Sequence, residues 1–141
     1  MPFVKIYIHA VWSTKDRYPY LNGKTKEMLI NHIKDYARSK DIYIDHINGG
    51  HDHLHVLISM CAEQNISSIM NLLKGESSHW INKQNITQDK FSWQDEYFAV
   101  SIGESQIDII RKYIYDQESH HKKKTFMQEY GEFIKNYRFD E

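Results

Sequence analysis

Residues 48–60, with the sequence NGGHDHLHVLISM, are the stretch that most directly predicts the fold. Its first three letters, NGG, are a tight-turn signal, and the residues that follow alternate in polarity as a strand does. A strand over 52–60 has apolar side chains on one face, while His51, His53 and His55 fall on the other. The stretch therefore predicts a β-hairpin arm with a core face and a face that carries imidazoles.

The flanking sequence supplies further elements that pair with this strand or pack on it. Apolar periodicity predicts strands over 3–12, 41–48 and 96–102 and helices over 25–39, 66–81, about 105–118 and 126–136. Asn65 or Ser67 is available to cap the second helix. The order β-α-β-β-α-β followed by two helices predicts one α+β domain over residues 1–141, with a ferredoxin-like antiparallel sheet and helices on one face.

Composition and charge exclude several classes of protein. At 141 residues with 40% hydrophobic and 26% charged residues, the chain is expected to form one folded domain. No apolar run approaches the ~20 residues that cross a bilayer, and Cys61 has no second cysteine with which to pair, so we expect a cytoplasmic protein. A net charge of −1 argues against a surface coated with basic residues for binding duplex DNA, although a local groove is still compatible with it.

The alternating histidines are candidate metal ligands. Imidazoles at His53 and His55, separated by one residue on a rigid strand, can converge on one ion, but they supply only two ligands. Histidines satisfied by hydrogen bonds are an alternative for such a pair. A structural zinc site using His51 and Cys61 with the pair is another, although no second cluster at zinc spacing accompanies them.

The helix near 105–118 presents a second candidate group. Tyr113 and Gln117 are four residues apart, so they share a helix face and offer a phenol beside an amide oxygen. A solvated helix surface is the alternative for this pair when it is considered alone. The pattern by itself does not place the helix near the histidines.

Five motifs together carry a family resemblance. They are W-S-T-K-x-R after the first strand, G-G-x-D-H-L-H-V-L-I, L-L-K-G-x-S-S, W-Q-D-E-Y, and Y-I-x-x-Q-E-x-H-H. In this order and spacing, across nearly the whole chain, they resemble the single-tyrosine HUH transposases of small bacterial insertion sequences, the IS200-like family. The resemblance implies that His53 and His55 are the HUH pair, Tyr113 the nucleophile and Gln117 the third metal ligand. His51 departs from the pattern, since this position often carries a residue that binds no metal.

The resemblance also implies a reaction and its partners. Such an enzyme is a homodimer in which the tyrosine helix of one subunit can complete the metal site of the other, and it acts on single-stranded DNA flanked by hairpins. Attack by Tyr113 would leave a 5′-phosphotyrosine bond and a free 3′-hydroxyl, which can be rejoined without ATP. Mixed imidazole and amide ligation favours Mg²⁺ or Mn²⁺ over zinc.

Several basic and aromatic side chains are candidate DNA contacts, and ordinary surface roles are the alternative for all of them. His9, His120 and His121 are candidates either for phosphate contacts or for supporting the metal ligands. The full set is Lys5, Tyr7, His9, Lys15, Arg17, Lys74, His120, His121, Lys122, Lys123 and Lys124.

Three other functions fit parts of the pattern. A replication initiator or relaxase shares the histidine pair and the tyrosine, but it usually adds domains for which we expect no room in 141 residues. A non-catalytic module for single-stranded nucleic acid uses similar sheets. A small metal-binding or metabolic-sensor domain of this fold would show no dependence on DNA.

Overall fold

The computed structural model describes residues 3–117 and, beyond them, only positions 128 and 132. The basic run at 120–124 and nearly all of the helix predicted over 126–136 lie outside the described residues. The DNA contacts expected at His120, His121, Lys122, Lys123 and Lys124 therefore stay predictions.

Within residues 3–117, four strands form one antiparallel sheet, and three α-helices pack on it. In chain order the elements are β1 (Ile6–Ser13), α1 (Gly23–Ser39), β2 (Tyr43–Gly49), β3 (His53–Met60), α2 (Ile66–Lys83), β4 (Phe98–Ile102) and α3 (Ile107–Tyr115). The strand order is β2-β3-β1-β4, and every neighbouring pair is antiparallel. This arrangement confirms the predicted ferredoxin-like α+β fold.

The hairpin between β2 and β3 closes through a very tight turn. The backbone N–H of Gly50 donates to the carbonyl of His53 at 3.0 Å. A Cβ on Gly49 would overlap that same carbonyl oxygen and would lie 2.9 Å from the Cα of Leu54. Because the two chain segments touch backbone to backbone, only glycine fits at position 49.

One face of the sheet is closed by α1 and α2. The apolar side chains that alternate along β1 and β3 point to this face and pack with both helices. Asn65 is the residue that caps α2, since its side chain accepts a hydrogen bond from the N–H of Ser68 at 2.8 Å. The fully buried members of this core include Ala10, Trp12, Leu29, Ile33, Leu54, Val56, Ile58, Met70, Leu73 and Ile81.

The opposite face of the sheet is partly covered by α3. Ile107, Ile110 and Ile114 of this helix pack on Leu57 and Ile102, which belong to β3 and β4. The periodic isoleucines of α3 need an apolar surface, and they find it on this face of the sheet. Within the part of the chain that the structure describes, no helix is long and apolar enough to cross a membrane.

Candidate functional site

His53 and His55 lie side by side on β3, a central strand, on the face that also carries α3. Their exposed fractions are 0% and 2%, and their ring centroids are 5.1 Å apart with the planes at 77°. Residues two apart on a strand share a face, so the spacing predicted from sequence is observed. The two imidazoles are adjacent but withdrawn from solvent.

Each histidine of the pair has a partner at Nδ1. His53 Nδ1 lies 2.9 Å from the Oδ1 of Asp52, so the ring donates there and its lone pair is on Nε2. His55 Nδ1 lies 3.0 Å from the Nε2 of His9, a buried residue on β1. When His55 donates in this bond, its Nε2 also carries the lone pair. Imidazoles held at Nδ1 in this way are suited to bind a metal through Nε2.

Tyr113 lies against His55, one member of the histidine pair. Its ring centroid is 5.4 Å from that of His55, edge to face at 83°, and 6.2 Å from that of His9. The side chain is half-buried. The structure thus brings the predicted nucleophile next to the predicted ligand within one chain.

Gln117 follows Tyr113 by one helical turn and is 0% exposed. Its Nε2 donates to the carbonyl of Tyr113 at 3.3 Å, which uses the amide as a donor inside the turn. Among the described residues, no three His, Cys, Asp or Glu side chains form a group that could hold a metal. An amide oxygen such as that of Gln117 is a ligand type that divalent ions accept beside imidazole nitrogens.

The structural zinc site is not formed. His51 is exposed and precedes the first residue of β3, so it does not share the strand face of the pair. Cys61 is exposed at the far end of the strand, roughly 20 Å along it from His55 at the usual rise per residue. The four side chains cannot surround one ion.

The structure separates the predicted DNA contacts into two groups. Lys15 and Arg17 are exposed on a short 3-10 turn after β1, and exposed Lys5 forms an ion pair with Glu104 at 2.9 Å. Tyr7, in contrast, is half-buried against the apolar cluster under α3. His9 is 1% exposed, so as placed it supports His55 and is not available as a DNA contact.

Lys74 has a structural role that the sequence did not reveal. Its ammonium donates to the carbonyls of Gln94 at 2.6 Å and Asp95 at 2.9 Å, and it lies 5.7 Å from the ring centroid of Tyr97. Burial lowers the pKa of this lysine. These bonds join α2 to the loop before β4. They hold the Lys74 ammonium against backbone carbonyls of that loop.

Asp52 is the residue at the site that sequence reasoning missed. It precedes His53 directly, and its backbone carbonyl also accepts a bond from the N–H of Thr14 at 2.8 Å. An acidic residue adjacent to a candidate ligand is the only signal for it in the sequence, and such neighbours are common.

Comparison with known proteins gives consistent matches. The family model for IS200-like transposases matches residues 2–117. The chain is similar to the ISDra2 transposase TnpA of Deinococcus radiodurans, with 26% identity over 120 residues that cover 82% of this chain and 84% of the relative.

Two solved structures have a similar fold. A candidate transposase from Deinococcus radiodurans superposes with a TM-score of 0.67 at 21% identity, covering 82% of this chain and 93% of that one. A REP-associated tyrosine transposase bound to a REP hairpin superposes with a TM-score of 0.66 at 17% identity, covering 86% and 72%.

Proposed function

This chain belongs to the IS200-like transposase family, and we propose that it cuts and rejoins single-stranded DNA through attack of Tyr113 on the backbone. The family makes it a DNA transposase. The observation that supports the tyrosine mechanism is the position of the Tyr113 ring, 5.4 Å from the ring of His55. A phenol beside imidazoles that can hold a metal ion suits nucleophilic attack on a phosphodiester.

The bond changes balance without an outside energy source. The phenol oxygen of Tyr113 forms a bond to phosphorus as the bond from phosphorus to the 3′ oxygen breaks. The phenol proton is lost, and the leaving 3′ oxygen gains one to become a hydroxyl. The product is a 5′-phosphotyrosine, and attack by another 3′-hydroxyl reverses the step and joins a new strand.

His53, His55 and Gln117 would hold a Mg²⁺ or Mn²⁺ ion, which supplies charge stabilisation at the scissile phosphate. Asp52 and His9 hold the Nδ1 atoms of the two imidazoles, so Nε2 is the atom through which each would bind the ion. The half-buried setting of Tyr113 limits access of water to the reacting phenol.

The DNA partner that we propose is a single strand with hairpins at the ends of the mobile element. The solved REP-associated transposase of similar fold is bound to a hairpin, which supports this choice. Exposed Lys15 and Arg17 are the described residues that we assign to phosphate contacts. A homodimer that shares the tyrosine helix between subunits stays a prediction, and within this chain α3 lies on its own sheet.

The test is formation of a covalent adduct. The protein is incubated with Mn²⁺ and hairpin-bearing single strands from the ends of its own element, and the products are separated on a denaturing gel. We expect an adduct with the wild type and none with Tyr113→Phe. Tyr115→Phe is the matched control, because Tyr115 is 75% exposed on the same helix and should not matter.

Binding without an adduct in the wild type would identify the chain as a non-catalytic binding module under these conditions. An adduct that persists in Tyr113→Phe and disappears in Tyr115→Phe would reassign the nucleophile. If chelation abolishes the adduct and added Mn²⁺ restores it, the result supports a requirement for a divalent metal ion.

A further inference from the structure

A bidentate ion pair joins α3 to the edge strand β2. The Nε of Arg111 lies 2.9 Å from the Oδ1 of Asp45, and its Nη2 lies 2.7 Å from the Oδ2. The Asp45 side chain is only 6% exposed and the Arg111 side chain 37%. Two parallel N–H···O bonds fix both the position and the orientation of a guanidinium. The contact is therefore directional, unlike a typical exposed ion pair.

A β-bulge in β2 directs Asp45 to this contact. The register of β2 on β3 shifts between Ile44 and His46, which makes Asp45 an extra residue. Ile44 and Ile47 both pack into the core under α1 and α2, and a regular strand cannot place residues three apart on one face. The bulge allows this spacing, and it leaves Asp45 on the face that carries α3.

The apolar contacts of α3 set its rotation less closely than a directional bond can. Ile107, Ile110 and Ile114 form one stripe that packs on the sheet, and apolar contact is non-directional. At 3.6 residues per turn, Arg111 and Tyr113 lie on opposite sides of this stripe, about 160° apart. A directional bond at Arg111 on one side therefore sets where Tyr113 lies on the other.

A second contact joins β2 to α3, and a third holds the Arg111 side chain within the helix. The Nδ2 of Asn48 on β2 donates to the carbonyl of Tyr115 at 3.1 Å, near the end of α3. The Nη1 of Arg111 also lies 2.9 Å from the Oδ1 of Asp108 within the helix. Hydrogen bonds from Arg111 hold the pKa of Asp45 below its usual value, so the carboxylate is charged at neutral pH.

We propose that Asp45 and Arg111 are a positioning pair that sets the rotation of α3 and thereby places Tyr113 over His55. The inference rests on the proposed role of Tyr113 as the nucleophile. Neither member of the pair contacts the reacting atoms, so the pair affects the chemical step only through the placement of the helix.

The experiment compares Asp45→Asn, Arg111→Gln and the double variant with the wild type. Hydrogen–deuterium exchange of the amides over 107–115 measures the attachment of α3, and single-turnover adduct formation measures the chemical step. We expect faster exchange in α3 with unchanged exchange in β1 and β3, and an adduct rate lowered roughly tenfold at unchanged oligonucleotide affinity. The double variant should be no worse than either single one, because both remove the same interaction.

Asp35→Asn is the matched control, since Asp35 forms an ion pair with Arg38 in which both side chains are at least 76% exposed. It should change neither measurement. Arg111→Lys keeps the positive charge but cannot form two parallel hydrogen bonds to one carboxylate. Its α3 exchange and its adduct rate should lie between those of the wild type and Arg111→Gln. This milder variant also keeps the test informative if Asp45→Asn folds poorly.

The main rival is that Arg111 contacts the DNA directly. In that case Arg111→Gln weakens oligonucleotide binding while Asp45→Asn does not, and exchange in α3 is unchanged in both. That result, or variants with wild-type exchange and rate, would overturn the positioning role. If the wild type forms no adduct, the proposed function fails, but the exchange data still decide whether the pair attaches α3.

Discussion

The two faces of the sheet are covered by helices in different ways. Under α1 and α2 the contact is almost wholly apolar, and residues such as Leu54 and Ile58 are completely buried. Under α3 a small apolar cluster lies beside buried histidines, a half-buried tyrosine and an ion pair. The face under α1 and α2 therefore stabilises the fold by burying apolar surface. The face under α3 uses directional bonds to position polar groups. Four experiments test this contrast between the two faces.

The largest effect is expected at the histidine pair. His53→Ala or His55→Ala should lower the adduct rate by at least about a thousandfold, because each removes a proposed ligand. His51→Ala is the control, since His51 is exposed and lies before the strand. Quenched single-turnover assays measure the rate, and calorimetric titration with Mn²⁺ measures binding. Equal losses in all three variants would contradict the assignment of the pair.

The apolar face should respond most strongly in stability. Leu54→Ala is expected to lower the free energy of unfolding by about 3 kcal/mol, because it leaves a cavity at a fully buried position. Ile110→Ala, at the margin of the α3 cluster, should cost about half as much. Urea denaturation followed by circular dichroism gives both values. A larger loss for Ile110→Ala would show that α3 is part of the main core.

Removing a residue that supports a proposed metal ligand should have an intermediate effect on the reaction. Asp52→Ala removes the acceptor at His53 Nδ1, and we expect the Mn²⁺ concentration for half-maximal adduct rate to rise roughly tenfold. The rate at saturating metal should change less, since no proposed ligand is lost. The exposed Asp35→Ala serves as the control. A fall in the saturated rate at unchanged metal dependence would argue against an orienting role for Asp52.

The smallest effect concerns acid stability of the α3 face. Hydrogen bonds from Arg111, and more weakly from His46, lower the pKa of Asp45 from its usual value of 3.8, so its stabilising contribution is complete only well above the pKa of the unfolded chain. The contribution is lost as pH falls through the lowered pKa of the folded state. Between pH 5 and pH 3, we expect Asp45→Asn to lose about 1 kcal/mol less unfolding free energy than the wild type. If Asp45→Asn and the wild type lose the same unfolding free energy over this pH range, the carboxylate of Asp45 does not stabilise the fold as expected.

Much of the fold could be predicted because its signals are local. Alternation along 52–60 and the NGG turn place β3 and its hairpin, and Asn65 was one of two residues named as the cap of α2. The bulge at Asp45 was missed, since it depends on how β2 pairs with β3 and on which isoleucines reach the core. The side of the sheet that α3 covers was also missed, because it depends on packing between distant segments.

The candidate site follows the same division. The shared face of His53 and His55 follows from spacing alone, whereas the hydrogen bond between His55 and His9 joins residues 46 positions apart. Only the register of β1 on β3 brings that contact about, so no local pattern could distinguish a buried His9 from a DNA contact. The nearness of Tyr113 to His55 was expected from family resemblance and not from helical spacing. The roles of these residues in the reaction stay predictions.

The tight hairpin has a consequence for how the molecule tolerates mutation. Any side chain at Gly49 would push against the carbonyl of His53, the first residue of the candidate metal pair. A genetic screen for lost transposition should therefore recover substitutions at Gly49 among those at the candidate site residues, although glycine contributes no chemistry. In this chain a substitution at the end of an edge strand would disturb the candidate site directly.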